Sequence, residues 1–177
     1  MLEAEKTRIL NEVHILSKCN SHFVVKYYHS CIESIGIYIQ MEFCQQSLRD
    51  VLNDKDKLFN RQPAQPFNIY EYFLSCEIFR ELLQCLEYIH TQNPPIIHRD
   101  IKPANILIMQ NTSNNTFIKF GDFGLATEYN RAGMSLSQPG TPGNMAPERR
   151  ANGKYDFKAD IHELGLVALK LFEITTM

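Results

Sequence analysis

The sequence predicts an α+β fold in which long helices alternate with short strand pairs. Three stretches have the apolar spacing of helices, at residues 2–18, 68–91 and 160–175. Between them lie two pairs of runs rich in β-branched and aromatic residues, each pair separated by polar turn residues, which is typical of β-hairpins. With 177 residues, 44% of them hydrophobic, the chain is long enough for one domain with a buried core.

Composition argues against several classes of protein. A net charge of -2 gives no sign of binding to nucleic acid or to anionic membranes. The five cysteines are an odd set without a C-x-x-C spacing, so neither a disulfide framework nor a zinc site is indicated. The charged N-terminus lacks the apolar region of a signal peptide, and charges interrupt the apolar C-terminal run. We therefore expect a cytoplasmic protein without nucleic-acid or membrane partners.

The first third of the chain predicts one amphipathic helix and one hairpin. The helix covers residues 2–18, and Glu12 by itself reads as a solvated acid on its polar face. Its apolar side chains follow three- and four-residue steps: Leu2, Ile9, Leu10, Val13 and Leu16. Residues 23–31 and 35–44 then have strand composition around a turn that contains Gly36.

The middle of the chain predicts a short helix, an exposed connection and a long helix. Residues 47–52 form the short helix, and the polar stretch 53–67, with two prolines, forms the connection. Asn68 is the expected N-cap of the long helix, which runs to about Thr91. We expect one stripe of this helix to face the core: Ile69, Tyr72, Phe73, Cys76, Phe79, Leu83 and Leu86.

The last third predicts a second hairpin, an irregular segment and a buried helix. The hairpin pairs residues 106–109 with 117–120. Residues 125–148 are rich in glycine and proline and predict a segment able to reorder, in which serines 135 and 137 are either phosphorylation sites or ordinary solvated hydroxyls. Residues 160–175 are apolar nearly all round, as expected of a helix in the middle of a fold.

Two short stretches carry residues suited to phosphoryl transfer. They are I-H-R-D-I-K-P-A-N-I-L at residues 97–107 and F-G-D-F-G at residues 120–124. Such catalysis depends on alignment and on neutralising charge at the phosphate oxygens. Asp100 is a carboxylate able to orient a hydroxyl and accept its proton. Asn105 and Asp122 offer the hard oxygen ligands that magnesium prefers. Lys102 supplies a positive charge for the moving phosphoryl group.

These stretches resemble motifs of the eukaryotic protein kinases. Residues 98–105 look like the catalytic loop, 122–124 like the metal-binding D-F-G, and 146–148 like the A-P-E that closes the activation segment. Each motif alone is weak, but three in the family's order are specific. Lys102, within K-P-A-N, is the form found in serine/threonine kinases. The resemblance implies a bilobal protein-kinase-like fold, ATP and Mg²⁺ as cofactors, and a protein substrate.

The resemblance also assigns residues to nucleotide binding. Glu12 falls where the family's small-lobe helix, called αC, carries the glutamate that pairs with a nucleotide-binding lysine. Met41 falls at the gatekeeper position beside the adenine, and the backbones of Glu42 and Cys44 at positions that hydrogen-bond it. Leu107 would form the apolar floor beneath the adenine. From the residues alone, a buried sheet edge with a reduced core cysteine remains the alternative interpretation of 35–44.

Three further residues take supporting roles by the same resemblance, and a fourth departs from it. Leu16 would stack against Phe123 of D-F-G, and Asp160 would bond the backbone of the catalytic loop. His98 is expected to pack beneath that loop rather than to act as a base. Glu163 departs from the family, which often has serine there. Several stretches are similar in particular to the stress-response kinases of translation initiation factor.

The resemblance runs from helix αC to the large-lobe helix αF, so the chain is interpreted as a partial kinase domain. Residues 1–44 would be the remnant small lobe and hinge, and 45–177 part of the large lobe. No G-x-G-x-x-G occurs in these residues. Two hypotheses follow: a serine/threonine protein kinase, or a pseudokinase-like scaffold that binds partners without catalysis. A small-molecule kinase is disfavoured because such enzymes lack the A-P-E segment. The oligomeric state is not predicted.

Overall fold

The structure is a computed structural model that describes residues 3–34, 36–62, 65–109, 116–129, 143, 146 and 156–174. Its helices are α1 (Glu3–Lys18), α2 (Leu48–Leu58), α3 (Ile69–His90) and α4 (Lys158–Leu171). Its strands are β1 (Tyr27–Glu33), β2 (Gly36–Met41), β3 (Gln46–Ser47), β4 (Ile96–Ile97), β5 (Ile106–Ile108), β6 (Ile118–Phe120) and β7 (Thr127–Glu128). The predicted α+β class is confirmed.

The strands form three small antiparallel sheets. Both predicted hairpins are present: β1 pairs with β2, and β5 pairs with β6. β3 adds to the edge of β5, and β4 pairs with β7 across a long sequence separation. The segment before β1 joins the second sheet, because the Val25 amide donates to the Phe120 carbonyl and the Phe120 amide donates to the Phe23 carbonyl, both at 2.9 Å. The N-terminal hairpin is thereby tied to the strand that precedes the predicted metal-binding motif.

Helix α2 is longer than its sequence predicts. It starts after Ser47, whose amide and hydroxyl both donate to the carboxylate of Asp50, at 2.8 and 2.7 Å. It continues to Leu58, six residues into the stretch predicted to be an exposed connection. Tertiary contacts explain the difference, because Lys55 is buried with its ammonium 2.8 Å from the Leu171 carbonyl. A local pattern of polar residues did not indicate this burial.

Helix α3 is capped as predicted but turns a different face to the core. The Asn68 side chain accepts the Glu71 amide at 2.9 Å, which satisfies one of the free donors at the helix start. The predicted core stripe is wrong in part, since Ile69 and Phe73 are 72% and 65% exposed. Tyr72 and Leu83 are also exposed. The buried positions are Glu71, Ser75, Ile78, Glu81, Leu82, Cys85, Leu86 and Ile89.

Two glutamates are buried on α3 because each has a specific partner. The Glu81 carboxylate accepts the backbone amides of Phe117 and Ile118, at 2.7 and 2.9 Å, so α3 holds the start of β6. The Glu71 carboxylate lies 3.4 Å from the Lys55 ammonium and 3.3 Å from the Arg61 guanidinium. Buried charges are tolerated when they are paired in this way. The pairing selects the inward face of the helix.

Helix α4 carries acids on its inward face. Asp160, Glu163, Leu164 and Val167 are buried, whereas Ile161 is 54% exposed. The helix is therefore less evenly buried than its apolar sequence predicts. Among the described residues, no helix is both long enough and apolar enough to cross a lipid bilayer.

The end of α4 is joined to α2 and α3 by an ion-pair cluster made of Lys55, Arg61, Glu71 and Glu173. Arg61 contacts Glu173 through both carboxylate oxygens, and Lys55 lies 3.6 Å from the same group. Burial by itself would raise the pKa of Glu173, but the hydrogen bond from Arg61 and the charges of Lys55 and Arg61 outweigh it, so its pKa lies below the ordinary 4.5. Glu173 therefore binds protons less readily in the folded state.

This depressed pKa predicts an acid-sensitive contribution to stability. The contribution is fully present above the unfolded pKa of about 4.5 and is lost as pH falls through the lower folded value. We expect the free energy of unfolding, measured by urea denaturation, to decline below about pH 4.5 and to decline less steeply in Glu173→Gln. Because Glu173 is 44% exposed, solvent screening reduces its contribution to the free energy of unfolding. Glu33→Gln, on exposed strand β1, is the control, and an identical slope in both variants would contradict the assignment.

Candidate functional site

The predicted catalytic loop lies between β4 and β5, and the ring of His98 packs beneath it. The ring is fully buried, packed against the rings of Phe120 and Phe123 with centroids 5.4 and 4.8 Å away. Its Nε2 lies 3.1 Å from the Gly121 carbonyl, while Nδ1 lies 3.4 Å from the Asp100 amide. Burial lowers the pKa of His98, so the neutral ring donates from Nε2 and accepts at Nδ1. The expected packing role of His98 fits this position.

Asp160 of α4 holds the backbone of the loop. Its Oδ2 accepts the His98 amide at 2.9 Å and is 2.8 Å from His90 Nε2, while its Oδ1 accepts the Arg99 amide at 2.8 Å. Arg99 has a φ of 69°, a left-handed conformation that costs energy for an arginine. The two bonds from one buried carboxylate stabilise this turn. The expected bond from Asp160 to the loop backbone is present.

Glu163, one helical turn further on, adds a second anchor. Its Oε2 accepts the Ile101 amide at 2.7 Å, and both residues are buried. Sequence reasoning noted Glu163 only as a departure from the family pattern. A signal was available, because Asp160 and Glu163 are separated by three residues and share one face of an otherwise apolar helix. Two acids on the inward face of such a helix indicate bonds to a neighbouring backbone.

Asp100, Lys102 and Asn105 form one hydrogen-bonded unit. The Lys102 ammonium lies 2.6 Å from Asp100 Oδ2, and the Asn105 amide nitrogen donates to the carbonyl and to Oδ2 of Asp100, both at 3.0 Å. A carbonyl only accepts, so this contact identifies the Asn105 nitrogen and directs its Oδ1 elsewhere. Asp100 is 4% exposed and Asn105 7%. The unit is therefore rigid and largely shielded from water.

Asp122 lies directly beside this unit in the fold. The amide of the preceding Gly121 donates to the Asn105 carbonyl at 2.9 Å, and the Gly121 carbonyl accepts from His98. Asp122 itself has a φ of 56° and a side chain that is 41% exposed. The predicted catalytic loop and the predicted D-F-G are thus bonded to each other at one end of the β5–β6 hairpin.

Helix α1 packs across the D-F-G turn. Leu16 and Phe123, the predicted stacking pair, are both fully buried in the same apolar core cluster. Arg8 lies 3.7 Å from Asp122 Oδ1, and a side chain at Gly124 would place its Cβ 2.8 Å from Arg8 Nε. Glu12 is half-buried, and its pKa is raised first by burial and then by the charge of Asp122, while Arg8 lowers it. Glu12 is therefore close enough to the predicted metal-binding residue for the two charges to interact.

Arg8 and Lys119 are charged site residues that sequence reasoning missed. Arg8 occupies the first turns of an amphipathic helix, where a cation gives no distinguishing signal. Lys119 is buried in strand β6, with its ammonium 3.1 Å from Glu42 Oε2. A lysine between Ile118 and Phe120 in a short apolar strand was a usable signal, because a buried lysine requires a partner.

The residues predicted to contact adenine are placed around the segment after β2. The Glu42 amide donates to the Lys26 carbonyl at 2.8 Å, so its amide is engaged within the protein. Met41 is 38% exposed at the end of β2. Cys44 is half-buried, and burial followed by the charge of Glu42 raises the pKa of its thiol. Leu107, in β5, is half-buried, and its Cδ1 would be 2.7 Å from a Cβ at Gly121.

The chemistry of this donor set fits magnesium. Asp122 offers a half-exposed carboxylate, and the bonding of Asn105 leaves an amide oxygen for a ligand. Both are hard oxygen donors, and two protein ligands are sufficient where phosphate and water supply the others. No group of three or more His, Cys, Asp or Glu side chains is placed to hold a metal within the part of the chain that the structure describes.

Several predicted features fall outside the described residues. These are serines 135 and 137 and most of the predicted activation segment, including two residues of A-P-E. Ala146, the first residue of that motif, is described and is fully buried against Ala159 of α4. Thr127 and Glu128, at the start of the segment, pair with Ile97 and Ile96 as strand β7. The segment therefore begins in a sheet beside the catalytic loop.

Comparison of the chain with known proteins shows that it is similar to protein kinases. The chain matches the family model described as "Protein kinase domain" over residues 1–177. It is 34% identical to serine/threonine-protein kinase pakF of Dictyostelium discoideum, over 97% of the chain and 13% of that protein. It is 36% identical to germinal center kinase 3 of Caenorhabditis elegans, over 91% of the chain and 27% of that protein.

A third relative, serine/threonine-protein kinase sid1 of Schizosaccharomyces pombe, is 37% identical over 93% of the chain and 32% of its own length. The chain thus spans between 13% and 32% of the length of these three relatives. None of the three is named as a kinase of translation initiation factor, so that narrower similarity gains no support from them.

Proposed function

Because the chain belongs to the protein kinase family, we propose that it carries the catalytic centre of a serine/threonine protein kinase. The reaction is transfer of the γ-phosphate of ATP to serine or threonine hydroxyls of a protein. One observation carries the proposal: Asp100, Lys102 and Asn105 form a single hydrogen-bonded unit, and the backbone of Asn105 is bonded to the residue before Asp122. Four groups suited to phosphoryl transfer thereby meet at one place.

In this proposal Asp100 orients the substrate hydroxyl and accepts its proton. Its Oδ2 is bound by Lys102 and Asn105, which fixes the orientation of the carboxylate. The buried loop strengthens electrostatic interactions because water is excluded from it. His98 contributes as a positioning residue, since it bonds the amide of Asp100 and the carbonyl of Gly121.

Lys102 and the proposed magnesium ligands would neutralise negative charge on the phosphate groups. The Lys102 ammonium lies 2.6 Å from Asp100 and would contact the transferred phosphoryl group next to the attacking hydroxyl. Asn105 and Asp122 would hold Mg²⁺, which neutralises phosphate charge when bound. Arg8, near Asp122, balances the charge of that carboxylate on the side of α1.

In this proposal the segment after β2 binds the adenine of ATP. The Glu42 carbonyl and the Cys44 backbone are the proposed hydrogen-bonding groups, and the side chains of Met41 and Leu107 are the proposed apolar contacts. Glu42 is held for this task from two sides, because its carboxylate accepts the Lys26 amide at 3.0 Å and pairs with Lys119. Glu12, on α1 and close to Asp122, is the proposed partner of a nucleotide-binding cation.

A nucleotide titration tests the proposal directly. We expect the chain to bind a fluorescent ATP analogue in the presence of Mg²⁺ and Asp122→Asn to weaken this binding roughly tenfold or more, because the variant loses a charged metal ligand. Without Mg²⁺ the two proteins should bind alike. Asp54→Asn, an exposed acid of α2 that pairs only with Lys57 among the described residues, is the matched control.

Two outcomes would count against a kinase site. Equal Mg²⁺-dependent affinity in Asp122→Asn and the parent would remove Asp122 from the metal site. No nucleotide binding by the parent would favour the second candidate function, a pseudokinase-like scaffold. Circular dichroism of each variant separates loss of a ligand from loss of fold.

A further inference from the structure

A cavity of about 510 Å³ opens directly beside the proposed catalytic lysine. It lies between α2, the loop at Lys102 and Pro103, and the C-terminal end of α4. Four of its lining side chains are basic and one is acidic: Arg49, Lys55, Lys102, Lys170 and Glu173. The net charge of the whole chain is -2, so this concentration of cations is a local feature of the fold.

Two of these cations have no ion-pair partner among the described residues. Lys55 is paired with Glu71 and Glu173, and Lys102 with Asp100. Arg49 and Lys170 are exposed, and among the described residues no carboxylate lies within ion-pair distance of either. Asp50, the neighbour of Arg49, turns its carboxylate to the amide and hydroxyl of Ser47. The hydrogen bonds from Ser47 lower the pKa of that carboxyl, and the charge of Arg49 contributes less to the same shift. Arg49 and Lys170 are both exposed and line the cavity, where their positive charges can meet an anionic ligand.

We propose that this cavity binds an anionic side chain of the protein substrate, a few residues from the hydroxyl that receives phosphate. The inference rests on the proposed kinase function and adds a substrate class to it. Lys102 lines the cavity and its ammonium lies 2.6 Å from Asp100, so the cavity adjoins the proposed position of the substrate serine. Arg49 offers a planar fork that suits carboxylate and phosphate, and Lys170 adds a point charge. A basic segment would be repelled from the same cavity.

Peptide binding tests this inference without requiring catalysis. Three fluorescent peptides share one central serine and carry glutamine, glutamate or phosphoserine at the flanking positions. We expect fluorescence anisotropy to give the two anionic peptides about tenfold lower dissociation constants than the glutamine peptide at low salt, with the advantage shrinking as salt increases. The ratio between glutamate and phosphoserine peptides then identifies which anion the cavity prefers.

Charge reversal in the cavity supplies the matched variants. In the double variant Arg49→Glu and Lys170→Glu, we expect the preference for anionic peptides to be lost and a lysine-flanked peptide to bind better than in the parent. Lys158→Glu, an exposed lysine at the start of the same helix as Lys170, should leave the preference unchanged. The single variants Arg49→Gln and Lys170→Gln provide a second measurement if the double variant fails to fold.

The outcomes separate this inference from the proposed function. Equal affinity of the parent for glutamine and anionic peptides, or an anionic preference that survives the double variant, overturns the cavity assignment even if phosphate is transferred. Anionic preference that depends on Arg49 and Lys170 supports it even if the chain transfers nothing. In that case the proposed catalysis fails while the binding site stands.

Discussion

Asp100→Asn should reduce phosphate transfer by roughly 10²- to 10⁴-fold, the range expected when a positioned general base is removed. The substitution keeps the size of the side chain, but its amide no longer offers two anionic oxygens. Lys102 and Asn105 both bond to Oδ2, so the neutral variant also weakens the contact that directs the lysine. The measurement is radiolabelled phosphate transfer to a general protein substrate at saturating Mg²⁺ and ATP.

Two further variants make this result interpretable. Asp100→Glu retains the charge but moves it by one methylene, and we expect partial activity because position matters as well as charge. Asp54→Asn is the control for loss of an acid elsewhere on the surface. Transfer by Asp100→Asn at the parent rate would show that Asp100 is not the base. Absence of transfer by the parent itself would instead favour the scaffold function.

Asp160→Ala should strongly destabilise the fold, costing about 3–5 kcal/mol in the free energy of unfolding. One buried carboxylate accepts from the His98 and Arg99 amides and contacts His90. Removing it leaves these groups without their partner at a fully buried position and releases the left-handed turn at Arg99. Urea denaturation of parent and variant measures the difference.

Asp156→Ala is the matched control for this experiment. Asp156 is another aspartate near the start of α4, but its carboxylate accepts only the nearby Lys158 amide among the described residues, at 2.8 Å. We expect its loss to cost about 1 kcal/mol, as for a helix cap. Asp160→Asn, which keeps an accepting oxygen, should fall between the two. An Asp160→Ala variant within about 1 kcal/mol of the parent would contradict the anchoring role.

The elements of the fold were largely predictable because their signals are local. Asn68 precedes an acid by three residues, and its side chain does accept the Glu71 amide. Both hairpins followed from strand composition on each side of a turn. Helix α2 was predicted too short because its last turns depend on Lys55, whose partners are on α3 and beyond α4. No pattern within residues 53–58 contains that information.

In the candidate site, too, some residues could be predicted from the sequence and others could not. Asp100, Lys102, Asn105 and Asp122 were predicted from motifs of fixed spacing, and the fold brings their loops together. Arg8 was not predicted, because its position beside Asp122 depends on how α1 packs across the D-F-G turn. The cationic cavity was also missed, since its residues come from three segments separated by about fifty positions or more.

The amino-acid sequence by itself determined the class of fold, the order of the elements and the set of groups proposed for phosphoryl transfer. These depend on periodicity, capping and spacing over a few residues, all of which are local features of the sequence. Only the tertiary structure decided which acids are buried, which face of α3 is inward and where basic side chains collect around a cavity. Burying a charge is favourable only with a partner, and the partners of Glu71, Glu81 and Asp160 lie between 10 and 70 positions away.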